Sequence, residues 1–220
     1  MHRGRYARGG RSSPDYRPGR WPHAAARIVT RHREGRGGQT MVEDEGMIGD
    51  RWGVSRSETL RAYPCDDFVT SPTLRAWRGV HVEAPTDVVW PWVAQVRIAP
   101  YSYDWIDNLG RRSPRELAGL REPQVGERFT TAAGRGLGRI VSVDPGTQLT
   151  GTIMGAFMSY VLVPQEHGTT RLLLKVVMRT ARWTAPGLSV GDLIMARRQL
   201  LNLKQLAERH QGAPATHHAP

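Results

Sequence analysis

PTDVVWPWVAQVRIAPYSYDWIDN, residues 85–108, joins a short apolar stretch to a dense polar and aromatic segment. A helix is predicted at its start, because Pro85 suits a first helical turn, where the missing N–H costs nothing. Val88, Trp92 and Val96 then recur at the spacing of a stripe that faces a core. A single helix followed at once by such a segment predicts one wall of a pocket.

The sequence on both sides of this stretch alternates between apolar and polar residues, which is the pattern of β-strands. Strands are predicted at residues 74–83, 127–132, 137–143, 148–154, 157–163 and 170–179. In the last strand the apolar side chains of one face are Leu172, Leu174, Val176 and Met178. The other face carries three charged residues, Arg171, Lys175 and Arg179, together with Leu173 and Val177. This alternation predicts an antiparallel sheet with one face against a core and one face in water.

A long helix is predicted near the C-terminus, from an N-cap at Ser189 to about Arg209. Leu193, Ala196 and Leu200 belong to its broad apolar arc, which fits a helix laid across a concave sheet. The order of elements is therefore strand, helix, several antiparallel strands and one long helix. This order indicates the α+β class.

The chain is expected to divide into four parts. Residues 1–40 are so rich in Arg, Gly, Ser and Pro that they cannot bury enough surface to offset their ordering entropy, and disorder is expected there. Residues 41–73 are predicted to be a strap that covers an edge or mouth of the core. The folded domain is expected at residues 74–209, followed by a polar, disordered tail at 210–220.

Two features of the strap carry predictions of their own. Ser55 and Glu58 have the spacing of a capping box and predict a helical turn. Cys65 is interpreted as a small packing residue rather than a nucleophile, because nothing nearby in sequence would lower its pKa.

The formal net charge of +11 belongs mostly to the basic arm 1–40. That arm holds ten arginines and two acids, a net +8, so the rest of the chain carries +3 and is a weak candidate for binding nucleic acid. Three interpretations of the arm stay open. It is an inert tail, or it binds nucleic acid or anionic lipid, or it lies outside the natural protein and translation starts at Met41.

Composition and motifs exclude several classes of function. No apolar run reaches the roughly 18–20 residues of a membrane-spanning helix, and the N-terminus lacks the apolar region of a secretory signal. Cys65 is the only cysteine, so no intramolecular disulfide forms and a cytoplasmic location is expected. The eight histidines are scattered without metal-binding spacing, so neither a metal nor another cofactor is expected.

Short runs of the chain carry a family resemblance. They are Ala84-Pro85, Val89-Trp90-Pro91-Trp92 with Gln95, and Tyr101-Ser102-Tyr103-Asp104, together with Val125-Gly126 and Val143-Asp144-Pro145-Gly146. They resemble a bacterial subgroup of the START-like, or SRPBCC, superfamily, which includes polyketide cyclase and dehydrase proteins and lipid-transport-like proteins. The resemblance spans residues 74–209. It implies the helix-grip fold, a curved antiparallel sheet wrapped around a long C-terminal helix.

The same resemblance implies an apolar cavity between the sheet and the C-terminal helix. The residues expected to line it are Trp90, Leu172, Leu174, Val176, Met178, Leu193 and Leu200, all of which also suit an ordinary core. Arg197 and Arg78 interrupt the apolar faces of their elements. Either could pair with the acidic head of a ligand, pair with a carboxylate of the protein, or extend to solvent.

Tyr101, Tyr103 and Asp104 are the candidate catalytic residues, and with Trp105 they are also candidates for ligand contact. A carboxylate beside tyrosine hydroxyls could act as a general base with hydrogen-bond donors for an enolate, as aldol cyclisation of a poly-β-ketone requires. The structural alternative is that Asp104 accepts hydrogen bonds from N–H groups of its own loop.

The predicted function is binding of a hydrophobic small molecule, a lipid or polyketide-like compound, by a non-catalytic carrier or sensor. The alternative is a cyclase, aromatase or dehydratase that uses the loop Tyr101–Asn108. Whether the protein is an enzyme stays open. The expected partner is the small molecule itself, and nucleic acid would involve only the arm 1–40.

Overall fold

The computed structural model describes residues 50–179 and 185–212, except for the side chains of residues 106, 107 and 185–194. The arm 1–40, Met41 and the tail from residue 213 lie outside this part of the chain. The expectations for them therefore stay predictions.

The described residues form seven strands and four α-helices. The strands are β1 Arg51–Trp52, β2 Leu74–Val82, β3 Arg128–Ala132, β4 Arg135–Asp144, β5 Gln148–Ile153, β6 Ala156–Gln165 and β7 Thr169–Met178. The helices are α1 Arg56–Thr59, α2 Thr86–Ala94, α3 Asp104–Asp107 and α4 Ala185–Gly212, with 3-10 turns at Pro64–Phe68, Gln95–Arg97 and Glu166–Gly168. Every strand that the alternation predicts is present, with ends within two residues of the predicted ones.

One sheet holds the seven strands in the order β1-β2-β7-β6-β5-β4-β3. Neighbouring strands are antiparallel, except that the two residues of β1 pair with β2 in parallel. The sequence predicts a purely antiparallel sheet, and this prediction is wrong for one short edge strand, β1. The strap supplies that strand, and the carbonyl of Asp50 accepts a hydrogen bond from the N–H of Trp77.

The inner face of the sheet packs against α2 and α4. Ala196, Leu200 and Leu203 of α4 share one buried cluster with Leu172 and Leu174 of β7. Helix α4 lies on β2 and on α2. A mostly antiparallel sheet against a long C-terminal helix confirms the predicted α+β helix-grip fold.

Helices α4 and α2 differ slightly from the sequence expectation at their ends. Helix α4 begins at Ala185, four residues before the predicted cap Ser189, and extends to Gly212. Helix α2 begins at Thr86 with Pro85 as its N-cap. The core-facing stripe of α2 is confirmed, since Trp92 and the following Val96 are buried.

The outer face of β7 is also buried, so the expectation that this face lies in water is wrong. Leu173, Lys175 and Val177 are each at most 5 % exposed. Tyr63 and Cys65 of the strap cover them and join a second apolar cluster on this side of the sheet. The strap supplies a layer that the alternation within a single strand does not reveal.

Candidate ligand-binding site

An apolar cavity of about 320 Å³ lies between the sheet and helix α4. The sheet contributes Phe129, Leu137, Met158 and Tyr160 to its wall, and helix α4 contributes Ala196 and Gln199. Its volume lies at the lower end of the roughly 300–1,000 Å³ of small-molecule pockets. The cavity therefore has room for one small ligand.

A glycine in β5 makes space for one wall of the cavity. Met158 and Tyr160 of β6 pair with Gly151 and Leu149 of β5. A Cβ on Gly151 would collide with the ring of Phe129, which occupies the space that a side chain would take. The Phe129 ring thus packs directly on backbone, and its position depends on glycine at 151.

The polar side chains around the cavity have partners within the protein. The Tyr160 hydroxyl donates to Gln199 Oε1 at 2.5 Å, and Gln199 Nε2 donates to the carbonyl of Pro100 at 2.6 Å. Thr130 Oγ1 donates to the carbonyl of Val96 at 2.8 Å. Because a phenol has a single proton, the Tyr160 hydroxyl that donates to Gln199 has no further proton for an entering ligand.

Methionines border the open side of the cavity. Met154 is 88 % exposed and Met195 is 38 % exposed, and both line the cavity together with Met158. The unbranched thioether side chain adapts its shape to irregular partners more readily than a branched side chain does. This opening can therefore fit apolar ligands of different outlines.

The residues predicted to line the cavity form packed core instead. Trp90, Leu172, Leu174, Val176 and Leu200 are buried, Met178 is partly buried, and none of these residues borders the cavity. The side chain of Leu193 lies outside the described residues.

The apolar cavity lies at the end of the sheet away from β2 and β7, and packing explains why. Helix α4 packs directly on β2, so the end of the sheet that holds β2 and β7 is filled. The cavity opens at the end formed by β3 to β6. The alternation in residues 156–165 places Met158 and Tyr160 on the inner face, but it does not reveal that this end is hollow.

Tyr101 anchors the segment between α2 and α3 to helix α4. Its side chain is 1 % exposed, and its hydroxyl accepts a hydrogen bond from Gln95 Nε2 at 2.6 Å. Its carbonyl accepts one from Asn202 Nδ2 of α4 at 2.8 Å. Burial raises the pKa of the Tyr101 phenol. These contacts hold Tyr101 as part of the scaffold.

Both carboxylate oxygens of Asp104, the first residue of α3, are engaged by a single residue of the loop that follows α3. The backbone N–H of Ser113 donates to Oδ2 at 2.8 Å, and the hydroxyl of Ser113 donates to Oδ1 at 2.5 Å. The carbonyl of Asp104 accepts from the N–H groups of Asn108 and Gly110. Asp104 therefore makes the kind of contact that the structural alternative predicts, since its carboxylate accepts a hydrogen bond from a loop N–H group.

Tyr103 and Trp105, the other candidate residues, do not border the apolar cavity. Tyr103 is half-buried, with the Arg198 guanidinium 6.0 Å from the centre of its ring. Trp105 is 73 % exposed. Tyr101, Tyr103, Asp104 and Trp105 all border a polar cleft, and Ser102 lies between this cleft and the apolar cavity and borders both.

The two arginines singled out in the sequence lie elsewhere. Arg197 is exposed, with its guanidinium 5.0 Å from the centre of the Trp52 ring. Arg78 is fully buried, and its Nη1 donates to the carbonyls of Asp50 and Trp77, each at 2.8 Å. Neither residue borders the apolar cavity.

Neither a metal-binding cluster nor a membrane-spanning helix is present in the described residues. Within residues 50–179 and 185–212, His, Cys, Asp and Glu side chains form no group of three that could hold a metal ion. No helix in that part of the chain combines the length and apolar character needed to cross a membrane.

Comparisons with known proteins concern the fold alone. No protein-family model and no curated protein matches the chain. Matching solved structures include a protein from Nitrosospira multiformis, at 12 % identity and TM-score 0.46, covering 63 % of this chain and 99 % of that chain. An AHSA1-like protein from Aeromonas hydrophila has 20 % identity and TM-score 0.42, with coverage of 66 % and 100 %. A Polyketide_cyc-like protein from Corynebacterium glutamicum has 14 % identity and TM-score 0.40, with coverage of 69 % and 100 %. With its seven-stranded sheet set against a long C-terminal helix, the chain has the helix-grip fold that its START-like resemblance implies.

Proposed function

We propose that this protein binds a small hydrophobic molecule, of lipid or polyketide type, in the apolar cavity between strands β3 to β6 and helix α4. The observation that carries the proposal is the chemistry of the wall. Its surface is mostly apolar, and the Tyr160, Gln199 and Thr130 side chains are hydrogen-bonded within the protein. Binding there would be driven by removal of apolar surface from water.

The same wall favours a carrier or sensor over an enzyme. No Asp, Glu, His, Lys or Arg among the described residues borders the cavity, and the one titratable group, Tyr160, donates its proton to Gln199. The carboxylate of Asp104 faces a different cleft and is engaged by Ser113. A general base for cyclisation would have to come from outside this wall.

A neutral fluorescent probe, N-phenyl-1-naphthylamine, tests the proposal in titrations of the full chain. We expect uptake by the wild type, and we expect Ala132→Phe to weaken it at least about tenfold, because the new ring fills space that Ala132 leaves open. Ala118→Phe makes the same change at an exposed site that does not border the cavity, and it should bind as the wild type does. Melting curves check that both variants fold.

Two outcomes would overturn this function. One is a folded wild type that takes up no probe and shows no co-purified apolar molecule in native mass spectrometry. The other is equal probe binding by Ala132→Phe and the wild type.

A cytoplasmic location belongs to the same proposal, and the single, buried Cys65 supports it.

A further inference from the structure

The polar cleft beside the apolar cavity has a volume of about 570 Å³ and is strongly basic. Four arginines border it: Arg112 and Arg115 come from the loop after α3, and Arg198 and Arg209 come from helix α4. All four side chains are exposed. We call this concavity the arginine cleft.

Helix α4 forms one wall of the arginine cleft. Arg198, Asn202, Gln205 and Arg209 follow one another at steps of three and four residues, so they form a single stripe along the helix. The loop residues Arg112 to Arg115 form the facing wall. Two walls that lie far apart in sequence thus bring positive charge to one place.

The charge of the arginine cleft is compensated only in part within the described residues. Asp104 is the one carboxylate among the residues that border it, and both of its oxygens accept hydrogen bonds from Ser113. In the part of the chain that the structure describes, none of the four guanidinium groups lies within ion-pair distance of a carboxylate. An anion bound there would relieve the repulsion among them.

A second basic cleft on the same protein shows the contrast. It is bordered by four arginines, and Glu127 forms ion pairs with two of them, Arg97 and Arg121; the other two are Arg128 and Arg139. There a carboxylate of the protein pairs directly with two of the arginines. In the arginine cleft no carboxylate of the described residues pairs with an arginine.

Aromatic side chains border the arginine cleft as well. The Arg198 guanidinium lies 6.0 Å from the centre of the Tyr103 ring. The indole of Trp105 is 73 % exposed, although a side chain of this size usually buries most of its surface. Exposed aromatic faces beside arginines are the elements that bind flat rings carrying oxyanions.

We propose that the arginine cleft binds a small anion that combines a flat ring with a phosphate or carboxylate group, independently of the apolar cavity. Guanidinium groups match the geometry of phosphate and carboxylate oxygens through paired N–H donors. The indole of Trp105 and the ring of Tyr103 supply stacking surfaces. The loop and α4 enclose the ligand from two sides.

Adenosine monophosphate is the probe, and isothermal titration calorimetry with the full chain at low salt is the measurement. We expect binding of adenosine monophosphate to exceed that of adenosine and of inorganic phosphate, each by at least about tenfold, because each component engages only one half of the site. Raising the ionic strength should weaken binding, since exposed charges are screened.

Variants locate the site. Arg198→Gln with Arg209→Gln should weaken binding of adenosine monophosphate at least about tenfold, and Trp105→Ala should weaken it as well. The matched control is Arg61→Gln with Arg75→Gln, which removes two exposed arginines outside the cleft and should leave binding unchanged. Uptake of N-phenyl-1-naphthylamine should be unaffected by all of these changes, which separates this site from the apolar cavity.

Three results would overturn the proposal. They are no detectable binding of adenosine monophosphate, equal binding of inorganic phosphate alone, and an equal loss in the control variant. A single-stranded oligonucleotide that binds at least about tenfold more tightly through Arg198 and Arg209 would also overturn it, since the ligand would then be nucleic acid.

Discussion

Lys175 Nζ lies 2.7 Å from Asp66 Oδ1, on the face of the sheet that turns away from helix α4. The Lys175 side chain is 6 % exposed, and its ammonium group also lies 5.0 Å from the ring of Trp77 and 5.1 Å from that of Tyr63. This ion pair joins the strap to β7. The Asp66 carboxylate thus supplies a counter-charge for the Lys175 ammonium group, which would otherwise be buried without one beside the outer apolar cluster.

Asp66→Asn should destabilise the protein by about 1–3 kcal/mol. The loss lies between that of an exposed pair and that of a fully buried pair, because Lys175 is buried while Asp66 is 35 % exposed. Urea unfolding measures it. Asp67→Asn makes the same change at the next, exposed residue and should cost less than about 0.5 kcal/mol. Equal losses in the two variants would show that the ion pair does not hold the strap.

Cys65 should report whether the strap is closed. Burial raises the pKa of the Cys65 thiol to about 11, and the side chain is fully buried. At pH 8 we expect N-ethylmaleimide to modify native protein far more slowly than urea-unfolded protein, because both access and the thiolate are lacking. Mass spectrometry over time measures the rate. Asp66→Asn should accelerate the reaction, and an unchanged rate would mean that Cys65 is exposed by a different motion.

Glu58 should make stability depend on pH. Its hydrogen bond from Arg171 holds the pKa of the Glu58 carboxyl below its ordinary value of 4.5. A lowered pKa contributes stability that is fully present above about pH 4.5 and is lost as the pH falls further. Glu58→Gln should therefore cost about 1 kcal/mol at pH 7, and the difference from the wild type should shrink below pH 4.5. Thermal melts between pH 3 and about pH 7 measure it, and a constant difference would contradict the assignment.

Gly151→Ala should disturb both stability and ligand uptake. The new methyl group would collide with Phe129, so the ring must move or the strands must separate, at about 1–3 kcal/mol. A displaced ring would also change the cavity that it lines. The double variant Gly151→Ala with Phe129→Leu tests the cause, because a smaller side chain should recover part of the stability. Losses that simply add would rule out this contact as the cause.

Local patterns in the sequence predict most of the elements. The Ser55 and Glu58 capping box is present in α1, with both of its hydrogen bonds formed. Alternation places the six predicted strands to within two residues. These features depend on neighbours in sequence, so a single chain segment contains the information they need.

The candidate site is less predictable because it depends on distances between elements. The hydrophobic period places Leu172 and Leu200 on the correct faces, yet they form packed core, since α4 lies directly on β2 at that end. The sequence indicates Asp104 as a candidate carboxylate beside tyrosines, but its pairing with Ser113 depends on the path of an irregular loop.

The sequence by itself determined the α+β class, the order of the strands along the chain and the long C-terminal helix, because each follows from a local period of hydrophobicity. Only the tertiary structure decided where the inner face of the sheet is hollow, that the strap buries the outer face of β7, and that Arg112 and Arg198 border one cleft. The physical reason is that side-chain period sets which face is apolar. The separation between packed elements sets whether that face meets protein or leaves room for a ligand.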